Sequence, residues 1–386
     1  MIGRRRLIGG GVTLAAMAGM AGRALAAPDR APVVNRIMLT EGRVWMAAKI
    51  NGNGPFLFIV DTGATLSFIE DAFAKAQRLE RVEHSGHMVG YGGKVADYSW
   101  YSAREVMLAN GIRFRNMLFT GVGKRASPDA VGSFGVGLFI SYDSDFDFMK
   151  GEWRAYLDGR PNFDGLTRLP SRLSKENDVP RIEVDASIDG FEGDFVVDTG
   201  APGMTMNGRA AAKSGLWASD RPYAVSTASG LGDGGHIRTR IYRAERIKVG
   251  PFVFQDLLVT VDKPGTLSEG RNDGLLGLSI LSQLHLTTDV SAGLLYATPN
   301  GAQRLRQGYP LGALGLERED GRIVVDDIGA GSPAAKAGIR RGDIIVGDDI
   351  GAILRAADGA PGKQVSLKIE RGGVRQDIGY TLAPWF

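Results

Sequence analysis

The chain of 386 residues contains no cysteine. That excludes disulfides, a lipid-bearing cysteine, a thiol nucleophile and thiolate metal sites. Histidine is also scarce, with four in all. Only His84 and His87 lie close together, and two ligands without a third are a poor basis for a metal centre, so none is expected. No apolar run after residue 26 is long enough to span a bilayer, which takes about 20 residues. No G-x-S-x-G elbow occurs to present a serine nucleophile. A basic excess is missing too. The net charge of +3 traces to Arg4, Arg5, Arg6 and Arg23, and the remainder balances 42 basic against 43 acidic residues. With no cationic stripe interleaved with aromatics, nucleic acid is not an expected partner.

What is present begins with a leader over residues 1–26. Arg4-Arg5-Arg6 precedes an apolar stretch rich in Gly, Ala and Met, and Ala24-Leu25-Ala26 supplies the small-x-small pattern of a cleavage site. The leader implies export to a periplasm or cell envelope, with no stable membrane anchor after cleavage. The arginine run resembles a twin-arginine signal, although Gly3 stands where Ser or Thr is usual, and the general secretory route stays open.

The central feature is a tetrapeptide that occurs twice, Asp61-Thr62-Gly63-Ala64 and Asp198-Thr199-Gly200-Ala201. Each copy ends an apolar run, Phe56–Val60 in one and Phe195–Val197 in the other. A lone carboxylate at the mouth of a buried strand loses hydration and needs hydrogen bonds or a shared proton. Glycine permits the close backbone approach that could supply N–H donors, and the threonine hydroxyl can brace the turn. Two such turns facing each other would form a carboxylate dyad.

The surroundings repeat as well. Ala47–Gly52 parallels Asp185–Gly190, each with an Asn-Gly or Asp-Gly turn ahead of the motif strand. Glu105–Leu118 matches Glu245–Leu258. Gly135 and Asp147 match Gly277 and Asp289, so the offset drifts from 137 at the aspartates to 142. That drift is the mark of a duplication with small insertions. The pattern predicts two mainly β lobes at 33–160 and 178–297, each with one short helix, over Glu70–Leu79 and Asn207–Leu216. The late runs around Gly135 and Gly277 are expected to pack behind the Asp turns. Residues 298–310 read as a linker, and 311–386 as a further domain.

These residues resemble the aspartic peptidases, and more closely the bacterial retropepsin-like group, over about 265 residues. The resemblance implies two closed β-barrel lobes, Asp61 and Asp198 as the catalytic pair, and Thr62 and Thr199 interlocking at the lobe interface. It also gives Gly63, Thr65 and Gly200 supporting roles. The substrate would be a polypeptide, no cofactor or metal would be needed, and a chain carrying both lobes would not have to dimerise for activity. Tyr91 and Gly92, within Val89–Gly93, would belong to a hairpin that closes over substrate. Gly230–Gly235 fits G-x-G-x-x-G but precedes a strand-like run instead of opening a helix, so it reads as a second hairpin. One departure stands out: Pro202 occupies the position that holds Thr65 in the first lobe, which leaves Asp198 without a polar brace. A protein that captures peptides without cutting them is therefore the alternative.

The last segment resembles a PDZ domain, an α+β module, through Leu314-Gly315-Leu316, Gly331-Ser332-Pro333 and Gly342-Asp343. The resemblance implies that Leu314, Gly315 and Leu316 offer N–H groups to a peptide C-terminus. The stretch between Ile345 and Val365 shortens the second helix, and a domain that only packs on the lobes is the competing reading.

Overall fold

In the computed structural model the described residues are 31–83, 87–89, 95–125, 127–176, 179–229, 236–265 and 271–386. The leader, Tyr91, Gly92 and the Gly230–Gly235 run lie outside them.

Each half closes a six-stranded barrel. In the first, Arg43–Ile50, Asn53–Val60, Gly132–Phe134, Phe68–Glu70, Arg113–Val122 and Trp100–Leu108 neighbour one another in that order, and Trp100–Leu108 returns to pair with Arg43–Ile50 through Ala48 opposite Leu108. In the second the ring runs Val179–Ile188, Phe191–Val197, Gly274–Leu276, Met204–Met206, Phe252–Asp262 and His236–Val249, closed by Ala186 opposite Val249. Closure leaves no free sheet edge inside either ring.

The first two strands of each barrel are joined by a turn the sequence specifies. Asn51 and Gly52 take φ 50° and 87°, Asp189 and Gly190 φ 47° and 93°. Asn, Asp and Gly tolerate this left-handed region, and its twist suits a tight hairpin. The short helices are Asp71–Ala76 and Gly208–Ser214, and the second is capped by the Asn207 side chain accepting from Ala210 N–H at 2.9 Å.

The late glycine-containing runs do pack behind the Asp turns. Gly132–Phe134 lies parallel to the motif strand with Phe134 beside Val60, and Leu276 holds the same register beside Val197. Phe58 and Phe134 stack at 4.3 Å between centroids, and both are fully buried. Burial of each ring contributes about 1.5–3 kcal/mol, which anchors the motif strand from behind.

Beneath the two barrels a shared sheet joins the halves. Its antiparallel order is Thr167–Arg168, Leu294–Pro299, Leu284–Asp289, Asp143–Asp147, Glu152–Tyr156 and Val33–Thr40. The seam between the halves is Asp145 opposite Thr287 and Phe146 opposite Leu286. Residues 298 and 299 thus belong to a strand and not to the linker.

The C-terminal domain has its own core around Val325, Ile345, Ile369 and Leu382. Five antiparallel strands, Leu314–Glu319, Arg322–Ile328, Ile344–Ile345, Gln364–Arg371 and Val374–Thr381, form its sheet. Two helices accompany it. Pro333–Lys336 is capped by Ser332 with Pro333 at its first position, and Ile350–Ala357 is the eight-residue second helix. The domain is α+β as expected.

Candidate active site

The two Asp-Thr-Gly-Ala turns meet at the barrel interface, and the meeting is built by their threonines. Thr62 Oγ1 donates to Val197 O at 2.8 Å and accepts from Thr199 N–H at 3.0 Å. Thr199 Oγ1 donates to Val60 O at 2.8 Å and accepts from Thr62 N–H at 3.1 Å. Both side chains are buried. Each hydroxyl thereby satisfies a carbonyl at the end of the opposite motif strand and an amide in the opposite turn, four groups that burial would otherwise leave unpaired.

The loop backbones follow the same two-fold pattern. Asp61 N–H donates to Phe134 O and Asp198 N–H to Leu276 O, each at 3.0 Å, while Ala64 O accepts from Val136 and Ala201 O from Leu278, each at 2.9 Å. Gly135 and Gly277 let the chain cross here. A Cβ on Gly135 would lie 2.6 Å from Leu66 O, and one on Gly277 2.1 Å from Gly203 O.

The motif glycines keep the space between the acids open. A Cβ on Gly63 would sit 2.3 Å from Asp198 Cγ, and one on Gly200 2.6 Å from Asp61 Cγ. The two carboxyls are close enough for the charge of Asp198 to act on Asp61. They are not equivalent. Asp198 is buried and its Oδ1 accepts from Gly200 N–H at 2.7 Å and Ala201 N–H at 3.2 Å, whereas the half-buried Asp61 accepts from Ala64 N–H at 3.0 Å. Burial, then the charge of Asp198, pushes the Asp61 carboxyl well above the usual carboxylate range. Burial also raises Asp198, but the Gly200 and Ala201 amides oppose it. A pair of this kind retains one proton and titrates as a unit, and the two amides that converge on Asp198 favour the charged form there.

Thr65 does not brace Asp61: the hydrogen bonds to the Asp61 carboxylate come from loop amides, and the Thr65 hydroxyl contributes none. The corresponding Pro202 is exposed, its carbonyl accepting from Ser279 N–H at 3.0 Å. The polar brace the sequence suggested for the first lobe and missed in the second is therefore absent from both, and backbone donors take its place.

At the seam lies a charged cluster that sequence reading did not single out. Asp145, buried, accepts from Thr287 Oγ1 and Tyr156 OH at 2.7 Å each and pairs with Arg160 at 2.5 Å. These hydrogen bonds, with His285 contributing, outweigh burial and hold the Asp145 carboxyl below the ordinary range. His285 places one ring nitrogen 3.7 Å from Asp145 and the other 3.7 Å from Asp147. The matched pair Asp147 and Asp289 gave a signal for the location, but nothing in the local sequence gave the partners.

Tyr91 and Gly92 fall outside the described residues. The strands that flank them, His87–Val89 and Val95–Asp97, pair antiparallel as a two-stranded sheet. Leu314, Gly315 and Leu316 are buried at the start of the C-terminal sheet. Among the described residues no group of three or more His, Asp or Glu is placed to hold a metal, and no helix is long and apolar enough to cross a membrane.

Solved structures similar to this chain include basic 7S globulin from soybean, at 10% identity and TM-score 0.39 over 72% of this chain and 99% of that one. Others are an aspartic proteinase from Irpex lacteus, at 11% and 0.42 over 69% and 97%, and conglutin gamma, a basic 7S globulin from lupine seeds, at 10% and 0.39 over 70% and 95%. No curated protein matches. Residues 46–128 and 184–280, one segment in each barrel and each containing its Asp-Thr-Gly-Ala turn, match the model of the aspartyl protease family.

Proposed function

We propose that the chain is an exported aspartic endopeptidase that hydrolyses polypeptides with Asp61 and Asp198. The observation that supports this reading is the reciprocal threonine pairing that brings the two Asp turns face to face. Export rests on the leader, from Arg4-Arg5-Arg6 to Ala24-Leu25-Ala26.

In this reading Asp198 carries the charge. It takes a proton from a water seated between the carboxyls as the water oxygen attacks the peptide carbonyl carbon. Asp61, protonated, donates a hydrogen bond to the carbonyl oxygen as negative charge develops there. Collapse of the tetrahedral adduct breaks the C–N bond, and the proton gathered by Asp198 passes to the leaving amine. The dyad ends with one proton, as it began. No covalent intermediate forms on the enzyme.

Peptide capture without cutting drew its support from Pro202. That support weakens, because Thr65, its counterpart, gives Asp61 no hydrogen bond either. The test is cleavage of an unstructured protein by the chain lacking residues 1–26, beside Asp61→Asn and Asp198→Asn. The proposal requires cleavage by the parent and none by either variant.

A further inference from the structure

The Leu314-Gly315-Leu316 segment, read from sequence as a cradle for a peptide carboxylate, opens the first strand of the C-terminal sheet and faces the second barrel. The Arg238 guanidinium lies over Gly315: a Cβ there would be 2.7 Å from Arg238 Nη1 and 2.9 Å from Asp326 Oδ1. Arg238 Nη2 donates to Asp326 Oδ1 at 2.8 Å and to Leu316 O at 3.2 Å. Two residues along the same strand, buried Arg240 makes a two-point contact with buried Asp327, at 2.9 and 3.0 Å. Tyr223 OH adds a hydrogen bond to Asp327 at 2.9 Å. The Arg240 guanidinium lies over both the Trp217 and Tyr223 rings, 4.4 and 4.0 Å from their centroids. A planar cation with two aromatic faces and a forked carboxylate partner is fixed in position and orientation. Gly329 completes the fit, since a Cβ there would lie 2.7 Å from Tyr223 O.

The approach to the segment is closed from within the domain. Leu311 N–H and Gly312 N–H both donate to Asp358 Oδ1, at 2.9 and 3.1 Å. An incoming carboxylate would find this amide pair already holding one.

Arg238 and Arg240 sit on His236–Val249, which pairs with Ala224–Ser229 as the hairpin of the second barrel. The corresponding hairpin of the first barrel, His87–Val89 with Val95–Asp97, forms a sheet of its own, whereas the second is continuous with its barrel. We propose that the C-terminal domain is an intramolecular brace for the second-barrel hairpin, and that Leu314-Gly315-Leu316 serves this docking in place of peptide capture. The glycine in the strand then has a cause: it leaves room for the Arg238–Asp326 pair. The proposal stands independently of whether the dyad cuts.

The test is hydrogen exchange on the full chain, comparing the parent with Gly315→Ala, Arg238→Ala and the double variant. Gly315→Ala should speed exchange in 224–229 and 236–242 by about tenfold or more, with 100–108 of the first barrel unchanged as a control on folding. In the Arg238→Ala background, where the guanidinium is gone and Asp326 is released from its partner and can turn aside, the same change should add less than about twofold. Unchanged exchange on Gly315→Ala, or an undiminished effect without Arg238, overturns the proposal. A second arm titrates the parent chain calorimetrically with an unstructured decapeptide bearing a free C-terminal carboxylate and with its amidated twin. Equal heats are expected, since binding or cleavage in the cleft does not depend on the C-terminal group. Binding that needs the free carboxylate overturns the claim about the segment.

Discussion

Thr62 and Thr199 each donate to a carbonyl of the other half and accept from each other's amide. One reciprocal contact thus fixes the separation of two acids that are 137 residues apart in the chain. Replacing either threonine by alanine strips a buried amide and a buried carbonyl of their partner, at a cost of about 1–3 kcal/mol for each group left unsatisfied. Thr199→Ala should lower thermal stability and reduce kcat, while Thr199→Ser, which keeps the hydroxyl, should restore most of both. A serine variant as impaired as the alanine one would show that the methyl, and not the hydrogen bonds, matters.

Gly63→Ala would place a methyl 2.3 Å from Asp198 Cγ. No rotation of the new group avoids the contact, so the aspartate must move. Cleavage should fall at least about a hundredfold, since a misplacement of roughly 1 Å at reacting groups costs that much. Gly137, whose Cβ would meet nothing within 4 Å, is the control position, and Gly137→Ala should retain activity.

Thr65 and Pro202 are expected to matter little to the dyad. Thr65→Ala and Pro202→Thr should each leave kcat within about twofold, a change of less than about 0.5 kcal/mol in the barrier. A loss of tenfold or more in Thr65→Ala, measured by steady-state kinetics, would return the brace to the first lobe.

The raised Asp61 carboxyl makes stability fall with pH. Above 3.8, the ordinary aspartate value, the unfolded chain releases this proton while the folded chain keeps it, so folding loses ground until the folded group also ionises. Asp61→Asn removes the titration. Its melting temperature should exceed the parent's near neutral pH, by an amount reflecting about 1.4 kcal/mol per unit of displacement, with the gap closing below pH 3.8. A variant less stable than the parent at neutral pH would contradict the assignment of the retained proton to Asp61.

The motif loops were legible because everything they need is local. An apolar strand, an acid, a threonine and a glycine are adjacent in the chain, and the repeat offsets of 137 and 142 reappear as identical registers, Val60 beside Phe134 and Val197 beside Leu276. The repetition pointed to two mainly β lobes, and their closure into barrels came from the resemblance alone. The shared sheet did not, because Asp145 meets Thr287 across 142 residues and nothing on either strand names its partner. The docking of the third domain was hidden for the same reason: Arg240 and Asp327 are 87 residues apart, and an arginine on a strand reads from sequence as a solvated face. The function of Thr65 came from resemblance alone, and the loop amides occupy the place it was given.

The most direct test of the account is digestion of an unstructured protein by the chain lacking its first 26 residues, across acid to neutral pH, alongside Asp61→Asn and Asp198→Asn. The account predicts cleavage by the parent, blocked by a statine-type mimic of the tetrahedral state, and loss of cleavage in both variants. Cleavage that survives either substitution, or a parent inactive at every pH, would contradict it.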